Sequence, residues 1–75
     1  MKILSNDHTY EGTAADIVKQ LSASSLAPAK SVKDWMNEAA DRATMMTGID
    51  VRFDTPTNFL YDLSKAGQIK ILEDK

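Results

Sequence analysis

The only histidine, His8, follows Asp7, and an imidazole beside a carboxylate could act as a general base or a metal ligand. That chemistry also needs a second positioned group and a pocket. Asn6-Asp7 is a pair that turns favour, so His8 is read as a polar residue flanking a hairpin turn. Two carboxylate pairs could share acid and base roles: Asp50 with Asp54, and Glu73 with Asp74. Nothing in either pattern marks a pocket that would support that chemistry, so both are read as solvated surface charge. The sequence holds no cysteine, which excludes thiol nucleophiles and thiolate zinc sites. Its three glycines, Gly12, Gly48 and Gly67, are isolated, and no serine sits in a G-x-S-x-G elbow. The chain is therefore expected to have no catalytic, cofactor or metal site and not to be an enzyme.

The elements that would position such groups belong to one short domain, residues 1–75. A chain of this length buries only about 60–65% of its unfolded surface. Its core is expected to supply only ~3–5 kcal/mol. Composition is that of a folded protein rather than a disordered one, with 43% hydrophobic and 27% charged residues. Net charge is -2, and the nine Lys and Arg residues are spread along the whole chain among the acids. No basic run offers a footprint for phosphate or anionic lipid, so nucleic acid is disfavoured as a partner. No stretch approaches the ~18 apolar residues of a membrane span, and Ile3-Leu4 is too short for a signal peptide. Without cysteine or a glycosylation sequon, the chain is expected to be cytoplasmic.

Residues 1–12 read as a β-hairpin turning at Asn6-Asp7, with Leu4 opposite Thr9, Ile3 opposite Tyr10 and Lys2 opposite Glu11. Ile3 and Tyr10 share the core face, and Gly12 ends the second strand. Thr13, with Asp16 three residues on, starts a helix carrying Ala14, Ile17, Val18 and Leu21 on one face. It fades through Ser22-Ala23-Ser24-Ser25 into the longest loop, with Leu26 and Pro28, expected to be mobile. Ser31 repeats the cap for the longest helix, which runs to about Thr47. Its apolar stripe is Val32, Trp35, Met36, Ala39, Ala40, Ala43 and Met46. Trp35, Met36 and Met46 could line a ligand groove, but their place on the stripe assigns them to the core. Glu38 and Arg42 are spaced for an i,i+4 ion pair. Gly48 is the left-handed C-cap, with Ile49 as its apolar closure.

Residues 49–53 alternate apolar and polar, as a short strand or as an extended link over the core. Thr55-Pro56 starts a third helix with Phe59, Leu60, Leu63 and Ala66 inward, and Gly67 caps it. Gln68 to Glu73 reads as a last strand with Ile69 and Ile71 inward. The predicted fold is α+β: a small three-stranded antiparallel sheet, hairpin plus C-terminal strand in the order second-first-last. Three helices cover one face.

Phe59 to Leu72 resembles the helix-to-wing passage of winged-helix proteins, which would imply a small nucleic-acid-associated regulator. The order departs from that family, since a hairpin comes first and the chain stops where the wing should turn back. Tyr10-Glu11-Gly12-Thr13, Asp16-Ile17-Val18, Phe59-Leu60 and Ala66-Gly67 give the whole chain a second resemblance. It is similar to a set of short uncharacterised bacterial or mobile-element proteins with no established activity, which implies a fold outline and no chemistry. Two residues fall outside the apolar stripes of their helices: Met45 on the second helix and Tyr61 on the third. Leu4 and Leu72 point to the outer face of the sheet. These four are the candidate partner contacts. They imply an interaction or accessory module that binds another protein, of unspecified oligomeric state.

Overall fold

Two residues of the first turn set the architecture. Asn6 and Asp7 both adopt positive φ, 50° and 66°, in the computed structural model, which describes residues 1–23 and 31–74. That backbone has the twist that antiparallel strands need across a two-residue connection. It joins β1 (Lys2–Ser5) to β2 (His8–Glu11) in the predicted register: Lys2 faces Glu11, Ile3 faces Tyr10 and Leu4 faces Thr9. The ladder gains one more pair at its far end. There the Gly12 N–H donates to the Met1 carbonyl at 3.0 Å, and the Met1 amino group donates to the Gly12 carbonyl at 2.9 Å.

The last strand, β3 (Lys70–Glu73), runs antiparallel to β1 on its other side, so the order is β2-β1-β3 as expected. Ile3 faces Ile71 while Lys2 faces Glu73, which leaves Leu72 as the extra residue of a bulge. The inner row is Tyr10, Ile3 and Ile71, with Ile3 fully buried at its centre.

Each helix begins where its cap says it should. Thr13 Oγ1 accepts from the Asp16 N–H at 3.2 Å and Asp16 Oδ2 accepts from the Thr13 N–H at 3.3 Å, a reciprocal capping box before α1 (Ala14–Ala23). Ser31 Oγ accepts from the Asp34 N–H at 3.1 Å at the head of α2 (Val32–Thr47). Thr55 Oγ1 does the same for Asn58 at the head of α3 (Pro56–Lys65), at 3.1 Å. Gly48 closes α2 at φ 75°. Gly67 closes α3: its N–H donates to the Ser64 carbonyl and the Gln68 N–H donates to that of Leu63, the paired bonds of a Schellman motif. The loop predicted after α1, with Leu26 and Pro28, lies outside the described residues.

The three helices form the covering layer over the inner row. α1 and α3 lie against the strands, and α2 packs on α1 and α3. The core joins Ile3, Ile17, Val18, Trp35, Phe59 and Leu60. Trp35 meets Phe59 edge to face at 5.7 Å between ring centroids.

Two local expectations are corrected, and of the two alternatives for residues 49–53 the structure shows the extended link and no strand. Their backbone donors go to side chains instead of a ladder: the Val51 N–H to Thr44 Oγ1 at 3.2 Å, and the Arg52 N–H to Asp62 Oδ2 at 3.0 Å. Ile49 is exposed rather than folded over the α2 cap, and Val51 is the residue that enters the core. Met46 falls on the predicted buried stripe and is 74% exposed. The reason is length. α2 has 16 residues and α3, which packs against it, has ten, a difference of roughly 9 Å at 1.5 Å per residue. The stripe is covered through Ala43, and the last turn runs past its cover.

Candidate partner-binding surface

The uncovered turn of α2 carries two adjacent methionines. Met45 is 85% exposed, as its position off the stripe predicts, and Met46 beside it is 74% exposed. Ile49, just past the Gly48 cap, adds a third apolar side chain at 37% exposure. The last turn of α2 and the residue past its cap therefore present three exposed apolar side chains.

A cleft of about 280 Å³ opens next to this end. Met46 stands on its rim and Trp35, Leu63, Leu21 and Ile69 line its apolar part. The hairpin turn closes one side through Ser5 and Asn6, with Tyr10 and Gln68 adding neutral polar groups. Arg42 also lines the cleft and is exposed. The predicted ion pair between Glu38 and Arg42 does not form. Among the described residues Arg42 has no ion-pair or hydrogen-bond partner. α2 thus supplies a wall, a cation and the apolar rim, while the hairpin and the α3–β3 passage supply the opposite wall.

The other candidate contacts lie in different settings. Tyr61 is half-buried, and its hydroxyl donates to a carboxylate oxygen of Asp74. That bond raises the Tyr61 pKa above the usual tyrosine value. The tyrosine is thus engaged in holding the end of the chain to α3. Leu4 sits half-buried in the outer row between Thr9 and Lys70. Leu72, 42% exposed, occupies the bulge, so the ladder does not set it opposite Leu4. The next outer row is Glu11, Lys2 and Glu73, which makes that face predominantly polar.

Of the residues weighed for chemistry, His8 is exposed on β2 opposite Ser5, and Asp50, Asp54, Glu73 and Asp74 are all exposed. Asp54 Oδ1 accepts from the Thr55 N–H at 2.9 Å and from the Asn58 side-chain amide at 3.2 Å, which is part of the α3 cap. Among the described residues no group of three or more histidines and carboxylates could hold a metal ion, and no helix is long and apolar enough to cross a membrane.

One charged group has a role that sequence patterning does not assign. Asp62 is only 4% exposed and accepts from Arg52 three times: from Nε at 2.8 Å, from an Nη at 3.3 Å and from the backbone N–H. The guanidinium and backbone bonds hold its carboxyl below the usual aspartate range. Asp62 lies between Tyr61 and Leu63 on the predicted inner side of α3. An acid at the edge of an apolar stripe was the available signal. The pair fixes the 49–53 link against α3 and so holds the path of the chain as it leaves the methionine end of α2.

No family model matches the chain, no curated protein matches it, and no solved structure matches the fold. The candidate surface is therefore defined by its own geometry.

Proposed function

We propose that this chain is a small, non-catalytic protein-interaction or accessory module that docks another protein on the methionine end of α2. The observation that carries the reading is the exposure of Met45 and Met46 on the last turn of α2, with Met46 at the rim of a cleft. In so small a domain nearly every apolar residue is needed for the core. A helix end facing only water is better served by Glu or Lys. Methionine is enriched at interfaces and adapts to the shape of what covers it. Tyr61 on α3, and Leu4 and Leu72 on the sheet, are secondary contacts in this reading. The absence of cysteine from the sequence supports a cytoplasmic setting.

The test is the double substitution Met45→Lys with Met46→Lys. Exposed replacements usually change stability by less than ~0.5 kcal/mol. The thermal midpoint should therefore hold, while the partners that co-purify with the tagged wild-type chain from its native cell should be lost. A folded double variant that keeps every partner ends the proposal. A variant that unfolds shows that the last turn of α2 belongs to the core.

A further inference from the structure

We infer that the cleft is the anchor pocket of this docking surface, and that its occupant is a partner segment carrying a bulky apolar side chain with a carboxylate about one helical turn away. The inference rests on the reading of the α2 end as a docking surface and specifies what that surface recognises. Three observations converge. The cleft, at about 280 Å³, falls just below the ~300–1,000 Å³ of small-molecule sites and has room for a bulky side chain. Its apolar part is built from Trp35, Leu63, Leu21 and Ile69 and continues onto Met46. Arg42 is the only charged side chain among the described residues that line it, and no described side chain neutralises it.

A lone cation beside a hollow of mixed polar and apolar lining selects by charge as well as shape. A carboxylate on the incoming segment pairs with the Arg42 guanidinium, which presents a fork suited to two carboxylate oxygens. A lysine or arginine in the same place meets like charge, which rejects wrong partners. An apolar group seated on Trp35 and ringed by Met46 and Arg42 has the anatomy of an interface anchor, a filled pocket whose surround excludes water.

Two capped helical peptides test this on the whole chain. One carries leucine and glutamate one turn apart, and its twin has lysine for the glutamate. Binding is followed by the amide and indole N–H resonances of the protein and by the methionine methyls. The leucine–glutamate peptide should move the Trp35 indole, Ile69 and the Met46 methyl, and should bind about threefold more tightly than its twin, in the range of an exposed ion pair. Arg42→Gln should erase that preference, and Arg42→Glu should reverse it in favour of the lysine peptide. Arg42 is exposed, so both variants should keep the fold.

Equal binding of the two peptides overturns the inference, as does the absence of shifts at the cleft at millimolar peptide. If octanoate binds more tightly than the peptide, the cleft is a site for small acids. If the wild-type chain sediments as a dimer that Arg42→Gln dissociates, the occupant is a second copy. Either result overturns the assignment. Loss of partners in the Met45/Met46 variant with no peptide preference leaves the docking surface standing and removes only the anchor.

Discussion

At the scale of single residues, the glycines separate two costs that usually occur together. Gly12 has φ 139°, and a Cβ there would lie 3.0 Å from the Asp16 Cβ and 3.3 Å from Asp16 Oδ2. Asp16 is half of the α1 capping box, so relieving the contact moves the cap. Gly48 has φ 75° and nothing within 4 Å of its added Cβ. Gly48→Ala should therefore cost only the left-handed backbone, about 1–2 kcal/mol. Gly12→Ala should cost a strained backbone of about 1–3 kcal/mol together with part of a cap, typically ~1 kcal/mol. Urea unfolding of the two variants compares them directly. Equal losses would mean that the hairpin exit shifts away from α1 without penalty.

At the scale of elements, the Arg52–Asp62 pair does for the 49–53 link what a ladder does for a strand. Asp62 is nearly buried, while the Arg52 side chain is 54% exposed, so the carboxylate bears the dependence. Its pKa is depressed in the folded chain, first by the side-chain hydrogen bond from Arg52 and then by the backbone one. A depressed carboxylate stabilises the fold fully above its unfolded value, about 3.9. That stabilisation disappears as pH falls from there through the lower folded value. The thermal midpoint of the wild-type chain should thus drop below about pH 4. Asp62→Asn should start lower near neutral pH and fall less steeply with acid. Parallel pH profiles for the two chains would show that the pair contributes nothing to the fold. Removing the acceptor with Asp62→Ala should cost about 1–3 kcal/mol, since it also leaves the Arg52 N–H without its partner.

At the scale of the whole molecule, charge is distributed rather than gathered. The net charge is -2, and on the outer face of the sheet Lys2 stands between Glu11 and Glu73. Such a surface should bind DNA or RNA no more tightly than ~10⁻⁴–10⁻⁶ M at physiological salt, the non-specific range. Fluorescence anisotropy over a salt series checks this. A submicromolar complex with a steep salt slope would instead favour the nucleic-acid-associated regulator that the Phe59–Leu72 resemblance implies.

What the sequence by itself determined is what neighbours in the chain decide. The Asn6-Asp7 turn fixes the hairpin register, because its twist and the alternation of Ile3 and Tyr10 admit one pairing. Thr13, Ser31 and Thr55 start their helices, because a side-chain oxygen three residues upstream satisfies an otherwise unpaired N–H. Met45 was legible for the same reason, as helical phase alone places it off the stripe. Tertiary structure decided the rest. Whether Met46 is covered depends on how far α2 outruns α3, a comparison of element lengths that phase does not contain. Arg52 and Asp62 are ten residues apart, Tyr61 and Asp74 thirteen, and neither pairing follows from a local rule. The cleft draws on the hairpin, all three helices and the approach to β3. It exists only once those elements are docked, because such a hollow is the space that their side chains leave between them.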